Sequence, residues 1–81
     1  MTLSEVLTDM RAADPANATL VTGLLRSLSE TDRAELERMV IEAYEAFQNR
    51  DETRLMALLD TLPQPHRFLA KKAARTALAN A

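Results

Sequence analysis

Leu3, Val6, Leu7 and Met10 follow one another at three- and four-residue steps, the spacing that gathers side chains on one face of an α-helix. The rhythm returns in Leu20, Val21, Leu24, Leu25 and Leu28, then in Leu36, Met39, Val40, Ala43, Tyr44 and Phe47, and again in Leu55, Leu58, Leu59 and Leu62. A weaker run follows Pro65. Together these patterns predict helices over about residues 3–12, 15–28, 30–49, 51–62 and 65–79. The expected fold is all-α, a compact bundle of four to five short helices forming one domain over 1–81.

Polar residues mark where the helices start. Thr2 and Glu5 have the spacing of a capping box, in which a hydroxyl takes a first-turn N–H and a carboxylate reaches back. Asp14-Pro15 ends the first helix and opens the second, because Asp14 can cap and proline is tolerated at the first helical position. Ser29, with Asp32 three residues on, opens the third helix, and Asp51 and Glu52 suit the positive end of the fourth. Asn49-Arg50-Asp51 breaks the third helix, and Pro63-Gln64-Pro65 is the clearest boundary, leaving the fourth and fifth helices joined by two residues. Gly23 sits inside the second helix and is read as allowing close packing against a neighbour. Arg33–Glu37 and Arg38–Glu42 are spaced for ion pairs along an exposed face of the third helix.

Composition narrows the function classes. One glycine among 81 residues excludes phosphate loops and the dinucleotide fingerprint, which need several. With no cysteine there is neither a disulfide framework nor thiolate chemistry, which fits a reducing compartment. The N-terminus has Glu5, Asp9 and Asp14 without a basic cluster, unlike a secretory signal. The longest apolar run, Leu55 to Leu59, is far short of the roughly 20 residues that span a bilayer. The expectation is a cytoplasmic protein with no membrane role.

No catalytic, cofactor or metal site is expected. His66 is the single histidine, whereas a histidine metal site needs two or three ligands and a di-iron bundle needs Glu-x-x-His spacing. Ser4, Ser27 and Ser29 fall at caps or helix ends, and most carboxylates are explained as caps or surface charges.

The uneven charge is more informative. The net charge is −2, but residues 1–62 carry all twelve acids against six arginines, a balance of −6. Residues 63–81 carry Arg67, Lys71, Lys72 and Arg75 and no acid, a balance of +4. Such asymmetry points to an acidic or nucleic-acid partner. A helical projection puts Leu69, Ala70, Ala73, Thr76 and Ala77 on the inner face of the last helix. Arg67, Lys71, Lys72 and Arg75 fall on the other face, with Phe68 and Leu78 among them. The bland alternative is that Phe68 packs sideways onto the fourth helix while the cations are solvated. Ile41, with Ala34 and Gln48 along one line of the third helix, either meets the last helix of the same molecule or is a candidate oligomer contact, so a homodimer is a second expectation.

The run Leu28 to Leu36, together with the whole chain's eight arginines against two lysines and its abundant alanine, resembles short helical proteins of high-GC bacteria and their phages. In some of these a stretch like Pro65-His66-Arg67 begins a helix-turn-helix that continues into a basic tail, a pattern from which this sequence departs up to Ala81. The expected function is a non-catalytic module that binds, and modulates or inhibits, another protein, acidic in character. Arg67, Phe68, Lys71, Lys72 and Arg75 would make the contact. A DNA-binding regulator using residues 51–62 and 65–79 ranks second, because a pI of 5.3 is far from the basic footprint of such domains.

Overall fold

Four side-chain caps start four helices of the computed structural model, which describes residues 2–80. Thr2 Oγ1 accepts from the Glu5 amide at 3.3 Å and opens α1 (Leu3–Ala13). The Glu5 carboxylate accepts from the Thr2 hydroxyl at 3.1 Å rather than reaching the backbone N–H of a full capping box. Asp14 Oδ1 caps α2 (Pro15–Ser27) through the Asn17 amide at 3.4 Å, Ser29 caps α3 (Glu30–Gln48), and Asp51 caps α4 (Glu52–Leu59). The fifth helix, α5 (His66–Asn80), opens differently, with Gln64 Oε1 accepting from the Phe68 amide at 3.1 Å.

The helix ends also have local causes. α3 stops where Arg50 adopts a left-handed φ of 57° and the Asp51 amide donates to Ala46 O at 2.9 Å, so late carbonyls of α3 are capped by the turn itself. α4 is shorter than its apolar stripe suggested. After Leu59 the chain tightens, with the Thr61 and Leu62 amides bonded to Leu58 and Leu59 carbonyls. This turn still delivers Leu62 to the core beside Leu55 and Leu59. Residues 60–65 therefore separate α4 from α5, rather than two residues.

In space the helices close a ring: α1 packs on α2, α2 on α5, α5 on α4, α4 on α3 and α3 on α1, with α2 and α3 also touching. Val6, Met10, Ala18, Val21, Leu36, Val40, Ala43, Tyr44 and Phe47 fill its centre. The Tyr44 and Phe47 rings stack with centroids 6.0 Å apart. The Cα radius of gyration is 11.4 Å, against about 12 Å expected for a compact domain of this length.

Two expectations about the helix surfaces are corrected. Arg33 does not pair with Glu37. Its guanidinium turns back to the end of α2, donating to Leu25 O at 3.1 Å and Leu28 O at 3.5 Å, because free carbonyls at a helix C-terminus attract a cation. No Arg38–Glu42 pair forms either, as the ion pairs among the described residues are Lys71–Asp60 and Arg75–Glu52. Gly23 packs against nothing: a Cβ placed there meets no atom within 4 Å. Its lack of a side chain thus makes no contact possible and only weakens the helix. Gly23→Ala should therefore raise stability by about 1 kcal/mol, read as a higher denaturant midpoint with unchanged slope. An unchanged or lower midpoint would show a role for Gly23 that the packing does not.

Candidate interaction face on α5

The position of α5 is set by two alanines and one buried amide. Ala70 and Ala74 are each 1% exposed, turned into the ring where α5 meets α2 and α4. Their small side chains let the helix approach closely. From α2, Asn17 Nδ2 donates to Ala70 O at 3.1 Å and to Asp14 Oδ2 at 2.8 Å. Asp14 and Asn17 are both buried, at 6% exposure. One amide thus links the α1–α2 corner to the middle of α5. Asn17 also lines the central cavity of about 40 Å³, where its Oδ1 has no hydrogen-bond partner among the described residues. A space of that size admits a water molecule but no substrate.

With Ala70 and Ala74 inward, the helix is turned relative to the face expected from sequence. Leu69 is not in the core: it is 49% exposed, and the flanks of the inner face are Ala73, Ala77 and Leu78. Alanine contributes little amphipathic contrast, so the one leucine pulled the projection toward itself, whereas close helix contact selects the alanines. Phe68 does not lie sideways on α4, being 61% exposed. Phe68 and Leu69 are thus adjacent large apolar side chains facing outward on α5.

The cations of α5 divide into two groups. Lys71 is half-buried and donates to Asp60 at 2.6 Å, and Arg75 lies 3.8 Å from Glu52, both partners belonging to α4 or the turn after it. Arg67 uses its Nε to bond Leu62 O at 2.8 Å, which ties the start of α5 to that turn. Lys72 is exposed and forms no ion pair among the described residues. The hydrogen bond from Lys71, with further attraction from Arg67 and Arg75, holds the Asp60 carboxyl below the usual carboxylate range. The five predicted contact residues are therefore brought together on one helix, and Gln64, Arg67, Phe68, Lys71, Lys72, Arg75 and Thr76 border one shallow groove. A second groove, against the α1–α2 corner, runs past Leu69, Lys72 and Ala73.

His66 is half-buried in the first turn of α5, and no group of three or more metal-ligating side chains occurs among the described residues. Ile41 is half-buried on α3, partly packed against the core and partly facing a separate depression. Sequence reasoning missed Asn17, Leu69, Glu52 and Asp60. The repeat of alanine at positions 70 and 74 was the available signal for the true inner face. Compared with models of protein families, with curated proteins and with solved structures, the chain matches none.

Burial raises the Asp14 carboxyl above its ordinary value, and the side-chain and backbone hydrogen bonds from Asn17 offset only part of this. Between the unfolded and the raised folded pKa, the native state holds more protons, so stability from Asp14 is greatest at low pH and declines as pH rises through that window. Asp14→Ala should cost about 1 kcal/mol through lost capping, and the loss should be larger at acid than at neutral pH. Equal losses at both, in parallel denaturant titrations, would show that burial does not govern this carboxyl.

Proposed function

We propose that the chain is a non-catalytic interaction module that binds, and modulates or inhibits, an acidic partner protein through the outer face of α5. The observation that carries this reading is the adjacent exposure of Phe68 and Leu69 beside the unpaired Lys72. Large aromatic side chains next to cations are the usual anchors of protein interfaces, and neighbouring exposed apolar groups form a patch where single ones need no explanation. Two shallow grooves flank this ridge and give a partner surface somewhere to lie. The rigid support beneath it, Ala70 and Ala74 against the ring, means that α5 need not be ordered on binding. The proposed setting is the cytoplasm. No helix among the described residues is long and apolar enough to cross a membrane.

Duplex DNA is a poorer match to the same face. Lys71 is paired with Asp60 and Arg75 lies 3.8 Å from Glu52, so acids already stand beside two of the cations that would have to meet phosphates. The six-residue connection over 60–65 is also longer than the turn of a helix-turn-helix.

Affinity capture from the source cells, compared across variants, tests the reading. Phe68→Ala should reduce recovery of the partner about tenfold or more, since loss of a buried aromatic anchor weakens an interface by that order. Lys72→Glu should also reduce it, while both variants keep the wild-type denaturant midpoint. Lys71→Glu is unsuitable, because it sets a like charge against Asp60. Recovery unaffected by either change would sink the α5 assignment. Tight, steeply salt-dependent binding to duplex DNA would replace it with the nucleic-acid reading.

A further inference from the structure

The acidic part of the same chain carries a surface of opposite character to α5. On one stripe of α3, Ala34 and Ile41 lie among Glu37, Arg38 and Glu42 and together they line a shallow, open depression. Neither Glu37 nor Glu42 has an ion-pair partner among the described residues, and Arg33, four residues before Glu37, is turned toward the end of α2. The rim therefore has two carboxylates against one guanidinium. The projection on α5 has the reverse chemistry, with Phe68 and Leu69 outward, Lys72 unpaired and Arg67 at its base. Within one molecule the two surfaces do not meet. α4 stands between α3 and α5 in the ring, and Phe68 remains 61% exposed.

We propose that this chain associates head to tail with a second copy of itself, Phe68 and Leu69 of one molecule seating on the Ala34–Ile41 depression of the next. The inference rests on the reading of α5 as a docking face and names one acidic occupant for it. Charge and exposed apolar area together favour one geometry. A symmetric contact of α5 with α5 gathers Lys72 and Arg67 of both copies, whereas a symmetric antiparallel contact of α3 with α3 can pair Arg38 with Glu42 of the copy but leaves Phe68 and Leu69 uncovered. The unlike pairing places cation against carboxylate and also covers the exposed apolar side chains of α5. Such a contact is heterologous: each molecule uses both surfaces, so the assembly grows beyond a dimer unless the rotation closes it into a ring. The patches are small, which makes the association concentration-dependent and reversible.

Two variants, each broken on one surface, test this. Phe68→Asp removes the projection and leaves the depression, whereas Ile41→Lys spoils the depression and leaves the projection. Because Ile41 also touches the core, Ala34→Lys, at an exposed position on the same stripe, serves as a second depression variant that leaves the core intact. In sedimentation velocity, the wild-type mass should rise above the 9.0 kDa of one chain with concentration. It should fall back when salt is raised to about 0.5 M, where charges are screened over a few ångströms. Each variant alone should stay monomeric, its self-association weakened at least about tenfold. An equimolar mixture of Phe68→Asp with either depression variant should give a one-to-one dimer and nothing larger, because each supplies the surface the other lacks. Mixtures that stay monomeric while the wild type associates overturn the head-to-tail contact. A wild type that is monomeric at every concentration overturns self-association itself, and leaves the α5 docking face to be judged by partner capture.

Discussion

Everything proposed for this molecule depends on how closely α5 can approach the ring. Ala70 and Ala74 make that approach possible, and Asn17 fixes its register by donating to Ala70 O while bound to Asp14. A bundle of 81 residues has a thin core, so each contact that closes it carries a large share of the stability. The arrangement is economical in area but demanding in shape. Small side chains bury little apolar surface, and the buried amide supplies directionality that alanine lacks.

That inner constraint determines the outer face. Once Ala70 and Ala74 point inward, Phe68, Leu69 and Lys72 must point outward, because successive helical residues are separated by about 100°. The carboxylates of Glu52 on α4 and Asp60 just after it then define which cations of α5 are compensated. Lys71 is held by Asp60 and Arg75 lies near Glu52, so the charge of α5 is partly compensated on the side facing α4 and exposed on the side facing solvent. The surface left over combines apolar area with the ammonium group of Lys72, which has no ion pair among the described residues, and suits a protein surface better than a phosphate backbone. Asp60 also contributes with opposite pH sense to Asp14. Asp60 is held in its charged form by Lys71, whereas Asp14 is pushed toward its neutral form by burial.

Much of the fold was legible from the chain, and what was legible was local. Thr2, Asp14 and Ser29 cap the helices expected of them, and Asp51, expected as a first-turn charge, caps α4, because a cap needs only the next three residues to act. The leucine and valine stripes of α1 to α4 identified the core for a similar reason, their contrast with polar neighbours being strong. The candidate site was less legible. The five contact residues were found as a group, but Leu69 was assigned inward because an alanine-rich helix has little contrast to orient it. The Asn17–Ala70 link joins positions far apart in sequence, and no spacing reveals it. Gly23 and Arg33 went astray for the converse reason. Each looked local, yet its surroundings were decided by where α2 ends and what lies beside it.

The absence of cysteine from the sequence makes the orientation of α5 directly measurable. Leu69→Cys, Ala70→Cys and Ala74→Cys can each be exposed to a thiol reagent under native conditions and the labelling rates compared with those of the unfolded chain. The structure predicts that the thiol at position 69 reacts within about an order of magnitude of the unfolded rate, as an exposed side chain does. Those at 70 and 74 should react only through opening of the bundle, slower by the local opening equilibrium. A protected thiol at 69 together with a freely reactive one at 70 would mean that α5 is turned the other way, and the proposed interaction face would go with it.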